Sequence, residues 1–114
     1  MNKFYGYKKC STSNKAEKYL QEFNVEYQFI DLKEKGITKT TLKKVLRAKK
    51  DIKKILNTSG NSYKEMNLKD KLADLSNDEV IDLMVKDPML VKRPIFIDEE
   101  HDKIYVGFVN NEFK

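Results

Sequence analysis

The sequence predicts an α/β fold carried by one mixed sheet, and three features predict it. A strand-forming run at residues 3–7 leads through a helical period into a second β-rich run at 25–32. The middle of the chain, from Gly36 to Asp87, has helical signals and no strand alternation. Two further β-rich runs, 93–98 and 103–108, close the chain. Parallel strands need a crossover helix, and a closing antiparallel hairpin extends the same sheet, an order that a thioredoxin-like mixed sheet satisfies. With 114 residues the chain supplies one ordinary core, so residues 1–114 are read as a single domain.

Each element has a local cause. Phe4, Tyr5 and Tyr7 favour a strand, while Ala16, Tyr19, Leu20 and Phe23 recur at helical spacing behind the capping candidates Ser11, Thr12 and Ser13. In "VEYQFIDL", Val25, Tyr27, Phe29 and then Asp31 share a strand face. Strand, helix and strand within about 30 residues form a βαβ unit, with parallel strands and a right-handed crossover. Gly36 breaks the chain, and Thr38 caps a helix whose stripe is Leu42, Val45 and Leu46, continued by Ile52, Ile55 and Leu56. "NTSGNSY", residues 57–63, reads as a loop, followed by a weakly patterned segment with Met66, Leu68 and Leu72. Ser76 and Glu79 form a capping box ahead of Val80, Ile81, Leu83 and Met84, and Pro88 ends that helix. The polar connector "EEHD" joins the last two strands.

Composition narrows the function. Hydrophobic residues at 39% permit a core, and 36% charged residues leave a heavily solvated surface, so a soluble protein is expected. No apolar run is long enough to cross a bilayer, and "MNKFYGYKKC" lacks a signal-peptide core, so the expected location is the cytoplasm and no membrane partner is expected. One cysteine forms no internal disulfide, which also favours a reducing compartment. The net charge of +5 helps attract an anion but falls short of the signature of a nucleic-acid binder. A monomer is expected.

Cys10 sits where a strand turns into a helix. There the unpaired backbone N–H groups and the positive end of the helix dipole stabilise a thiolate, and Lys8 and Lys9 add positive charge. Cysteines at helix N-termini have pKa values of about 3.5–7.5, against about 8.5 for a free thiol. Cys10 is therefore a candidate nucleophile rather than an inert buried thiol. The N–H groups of Ser11, Thr12 and Ser13 offer a cradle for an oxyanion or a thiol adduct, beside the capping role such residues have anyway.

Cys10-Ser11-Thr12-Ser13 after an aromatic strand, "NTSGNSYKE" at 57–65 and "LVKRPIFID" at 90–98 together resemble the arsenate reductase and Spx-like (ArsC-like) family of the thioredoxin-fold superfamily. The resemblance spans nearly the whole chain. It implies that Cys10 is the catalytic cysteine, that Arg93 is its charge partner, and that the Arg93–Pro94 bond is cis and faces the Cys10 loop. A fixed guanidinium suits a thiolate, an oxyanion or a carboxylate.

Departures from the family pattern redirect the chemistry. Arsenate reductases of this type hold the oxyanion with further arginines, where this chain has "LNTSGN" and "VGFVNN"; its other arginine, Arg47, falls within a predicted helix. Efficient arsenate reduction is not expected without that clamp. Spx-type regulators switch through Cys-x-x-Cys, and Ser13 stands at the second position. The leading expectation is a monothiol oxidoreductase cycle: Cys10 attacks a small oxidised substrate, forms a mixed disulfide and is released by a low-molecular-weight thiol, glutathione-like or bacillithiol-like, with no bound cofactor. The alternative is a non-enzymatic Spx-like regulator contacting a transcription or proteolysis partner through its basic helix face, which includes Lys43, Lys44 and Lys50.

Other candidates are weaker. The basic run 39–54 has no interleaved aromatics for base stacking, which argues for a solvated face over a nucleic-acid site. His101 among Glu99, Glu100 and Asp102 reads as a solvated turn with no metal, since no second His or Cys lies at ligand spacing. Asn57, Thr58, Ser59 and Tyr63 match the family loop and are candidate lining residues, though turn formation explains them nearly as well.

Overall fold

The computed structural model describes residues 1–114. In chain order the elements are β1 (Lys3–Gly6), α1 (Ser11–Glu22), β2 (Gln28–Asp31), α2 (Leu32–Lys35), α3 (Lys39–Lys49), α4 (Asn61–Glu65), α5 (Leu68–Lys71), α6 (Asn77–Lys86), β3 (Ile95–Asp98), β4 (Lys103–Val106), β5 (Phe108–Val109) and β6 (Glu112–Phe113). Short 3₁₀ turns occupy Ile52–Lys54, Leu72–Asp74 and Pro88–Leu90. The chain divides into two compact units, Met1–Lys35 with Arg93–Lys114, and Gly36–Lys92.

The first unit holds the mixed sheet, ordered β2-β1-β3-β4. β1 runs parallel to β2, with Phe4 opposite Phe29, and antiparallel to β3, with Phe4 opposite Phe96. β3 and β4 form the expected antiparallel hairpin, Ile95 opposite Val106. The core is aromatic: Phe4, Ala16, Leu20, Phe96 and Phe108 are buried, with Tyr19, Tyr27, Phe29, Tyr105 and Phe113 packed around them. Phe96 and Phe108 meet Phe113 with ring centroids 5.4 and 4.9 Å apart. Each such pair adds about 0.5–1.5 kcal/mol to the burial of its rings. That core fixes the outer turn of α1 against the β5–β6 hairpin, a pairing the sequence reading did not anticipate.

Several boundaries differ from expectation. β1 ends at Gly6, one residue short of Tyr7, and β2 starts at Gln28 rather than Val25. Val25 is still engaged with α1, donating its N–H to Leu20 at 3.0 Å, after Asn24 turns the chain at φ 54°. The helix cap is Cys10 itself; Ser11, Thr12 and Ser13 are the first three helical residues, and no side chain caps α1. β3 begins at Ile95 rather than Arg93, and β4 stops at Val106.

In the second unit α3 packs on α6. Leu42 and Val45 of α3 and Val80, Ile81 and Met84 of α6 are buried, while Leu46 remains partly exposed. Thr38 accepts the Thr41 N–H, and Ser76 and Glu79 complete the capping box, both as expected. α3 does not continue through Ile52, however: Lys50 is left-handed at φ 68°, and the Asp51 carboxylate caps a separate turn by accepting the Lys53 N–H. Ile55 and Leu56 are buried all the same, on a strand-like stretch where Leu56 bridges Val91. The expected loop at 57–63 ends early, because Gly60 serves as the extended N-cap of α4. No helix is long and apolar enough to cross a membrane.

Candidate active site

The turn from β1 into α1 builds the site. Gly6 is walled in: a Cβ there would lie 2.7 Å from Phe4 Cε1 and 3.2 Å from Ser13 Oγ, so no larger residue fits without displacement. The chain then folds back, the Cys10 N–H donating to the Tyr7 carbonyl at 2.9 Å. Cys10 caps α1 in an extended conformation (φ −95°, ψ 119°), and its carbonyl accepts the first helical bond from Asn14 at 3.0 Å. The thiol is thereby set at the positive end of a 12-residue helix.

Three groups act on the thiol. Its partial burial is the largest influence and opposes ionisation, yet the Ser13 backbone N–H, the Ser13 hydroxyl and the Arg93 guanidinium outweigh it. The Cys10 pKa is lowered as a result. Ser13 is fully buried and its Oγ accepts the Tyr7 N–H at 3.3 Å, which leaves the hydroxyl proton directed to Cys10. Arg93 contributes both a hydrogen bond and its charge, and its guanidinium stacks 5.4 Å from the centre of the Tyr7 ring. That stacking restrains a side chain that otherwise has many rotamers.

Of the residues singled out in the sequence, Cys10, Ser13 and Arg93 are therefore brought together, and the Arg93–Pro94 bond is cis. Pro94 is buried, and its carbonyl accepts the Gly107 N–H at 2.8 Å, which ties the start of β3 to the end of β4. Ser11 is exposed and Thr12 half-buried on the first turn of α1. Asn57 is occupied within the second unit, its Oδ1 accepting the Ser59 N–H and its Nδ2 donating to the Met89 carbonyl, both at 3.3 Å. Thr58 and Tyr63 border a groove of that same unit. His101 pairs with Asp98 at 2.9 Å in an exposed turn.

Two residues of the site were not singled out. Tyr7, expected only as a strand former, is the platform for Arg93. Asp31, buried at the end of β2, accepts the N–H groups of Lys33 (2.9 Å), Glu34 (3.1 Å) and Lys8 (3.3 Å), and so pins the Cys10 turn to the start of α2. An Asp immediately before Leu-Lys-Glu is a helix-cap signal, and it was available in the sequence.

A profile of the ArsC family matches residues 5–114. The chain is 43% identical over 112 residues to the uncharacterised Bacillus subtilis protein YusI, covering 97% of this chain and 93% of YusI. It is 26% identical over 106 residues to the global transcriptional regulator Spx of Lactiplantibacillus plantarum, covering 92% of this chain and 77% of the regulator. The crystal structure of a possible arsenate reductase from Streptococcus mutans UA159 superposes with a TM-score of 0.86 at 39% identity, covering 95% of this chain and 91% of that one. The thioredoxin-like α/β fold read from the order of elements agrees with these neighbours. With its cysteine, cis-proline and arginine placed on that fold, the chain belongs to the ArsC family.

Proposed function

We propose that the protein is a monothiol oxidoreductase in which Cys10 works with an external low-molecular-weight thiol. The observation that carries this reading is the convergence of Ser13 and Arg93 on Cys10 at the N-terminus of α1, which holds the thiol below its ordinary range. The thiolate attacks one sulfur of a small disulfide RS–SR′, forming Cys10–S–SR and expelling R′S⁻, whose charge Arg93 is positioned to receive. An external thiolate R″S⁻ then attacks the bound RS sulfur, giving RS–SR″ and restoring the Cys10 thiolate, and a second R″S⁻ exchanges with RS–SR″ to release RS⁻ and R″S–SR″. In sum RS–SR′ gains two electrons to become RS⁻ and R′S⁻, and the two external thiolates lose two. No second cysteine exists in the chain to resolve the adduct, so the external thiol is obligatory. Arsenate is a poor fit, because Arg93 is the sole arginine of the unit that holds Cys10.

Turnover of hydroxyethyl disulfide with glutathione, and separately with bacillithiol, tests this. Activity that disappears in Cys10→Ser and falls sharply in Arg93→Ala supports it. Wild-type protein no faster than Cys10→Ser with either thiol overturns it.

A second reading, a regulator that binds a protein partner, is favoured by the similarity to Spx over 92% of this chain. Lys43, Lys44 and Lys50 of the proposed face are all exposed, Lys43 lying 3.8 Å from Asp78. Partner binding that survives Cys10→Ser and is lost on charge reversal at Lys44 and Lys50 would favour it over the enzyme.

A further inference from the structure

The second unit carries a groove that the chemistry of Cys10 does not use. It occupies about 590 Å³ and is about half open to solvent. Its floor is apolar, made by Ile52, Leu72, Leu75 and Val80, and its rim holds Lys53 and Lys69. No Asp or Glu lines it. Val80 is buried, whereas Ile52, Leu72 and Leu75 remain partly exposed, so apolar surface converges here instead of being scattered singly.

The charge around it is one-sided. Residues Gly36–Lys92 hold thirteen Lys and Arg against eight Asp and Glu, while the first unit holds ten of each. The entire net charge of +5 therefore belongs to the unit with the groove. Most acids of that unit are already engaged: Asp78 and Asp82 pair with Lys43 and Lys39, Asp51 and Asp87 cap turns, and Glu79 closes the capping box. Neither Lys53 nor Lys69 takes part in those ion pairs.

We infer that this groove docks an acidic amphipathic helix of a partner protein, its apolar residues on the Ile52–Leu72–Leu75 floor and its carboxylates against Lys53 and Lys69. A groove half open to solvent leaves one side of its occupant exposed, which suits a helix with anchors at i, i+4 and i+7 better than a small molecule, which is normally enclosed over most of its surface. A positive field extending over a whole unit steers a macromolecule. Single-stranded nucleic acid is bound on successive stacking aromatics, and Tyr63 is the single one at the groove. The inference stands whether or not Cys10 turns over a substrate.

A phage-displayed library of random 16-residue peptides, selected on the full chain, tests it. The expected outcome is enrichment of peptides combining Asp or Glu with apolar residues at i, i+4 and i+7. The best peptide, labelled with fluorescein, is then measured by anisotropy. Lys53→Glu/Lys69→Glu should weaken it at least tenfold and Leu75→Ser should weaken it too. Lys15→Glu/Lys18→Glu, the same charge change on exposed residues of the first unit, should alter affinity less than twofold. Both charge variants are on the surface, so the comparison holds even where Leu75→Ser loses its fold. No enrichment, enrichment without acids, equal losses in the two charge variants, or displacement of the peptide by a 20-base-pair DNA duplex or by anionic vesicles overturns the inference.

Discussion

Asp31 offers a quantitative test of how the Cys10 turn is held. The residue is 6% exposed, and its carboxylate accepts two N–H groups of α2 through Oδ1 and the Lys8 N–H through Oδ2. Removing a side-chain cap costs about 0.5–2 kcal/mol. A buried backbone donor left without an acceptor costs about 1–3 kcal/mol, and the 3.3 Å bond to part-buried Lys8 belongs at the lower end. Asp31→Ala should therefore destabilise the protein by about 1.5–4 kcal/mol. Asp31→Asn retains one oxygen for Lys33 and Glu34 and sacrifices only the Lys8 bond, at about 1–2 kcal/mol. Both variants free the 7–10 turn, so both should slow alkylation of Cys10. Urea unfolding followed by circular dichroism gives the stabilities, and iodoacetamide labelling at neutral pH gives the reactivity. If Asp31→Ala costs less than about 0.5 kcal/mol, or Asn costs as much as Ala, the carboxylate is not the tether described.

Three further outcomes follow from the same geometry. Gly6→Ala should cost about 1–3 kcal/mol, because its Cβ would fall 2.7 Å from Phe4 Cε1, and it should depress Cys10 reactivity by pressing on Ser13 Oγ; thermal unfolding and labelling rates check both. Ser13→Ala removes two functions at once, the acceptor for the Tyr7 N–H and the donor to the thiolate, so the pH midpoint of Cys10 alkylation should move up. Stability also depends on pH through Cys10. Its folded-state pKa is depressed, so the ionised thiol favours folding; the contribution is complete above the unfolded value near about 8.5 and is lost as pH falls through the folded value. The stability of wild type relative to Cys10→Ser should accordingly increase with pH across that window. A difference that is flat or declines with pH contradicts it.

What could be read from the sequence was what neighbouring residues decide among themselves. The Ser76–Glu79 box, the Thr38 cap and the β3–β4 hairpin are closed by bonds within a few residues, and their patterns are explicit. The start of β2 was not legible, since Val25 and Tyr27 have the β preference of Phe29 but are held by the end of α1 after the left-handed Asn24. α4 and α5 lack an apolar period and are ordered by their surroundings. The β5–β6 hairpin did leave a signal, Asn110-Asn111 between Phe108 and Phe113, both asparagines having positive φ as a two-residue hairpin turn requires. In the site, Cys10 was legible from its place between strand and helix, and Arg93 from the resemblance. Tyr7 and Asp31 act through contacts with residues 86 and 23 positions away, which no local pattern encodes.

Cys10 and Arg93 form one activated thiol site. The pH dependence of the Cys10 alkylation rate, measured in wild type and in Arg93→Ala, tests it most directly. The wild-type midpoint should lie below the free-thiol value of about 8.5 and rise when the guanidinium is removed. A midpoint at or above that value, indifferent to Arg93, would contradict it.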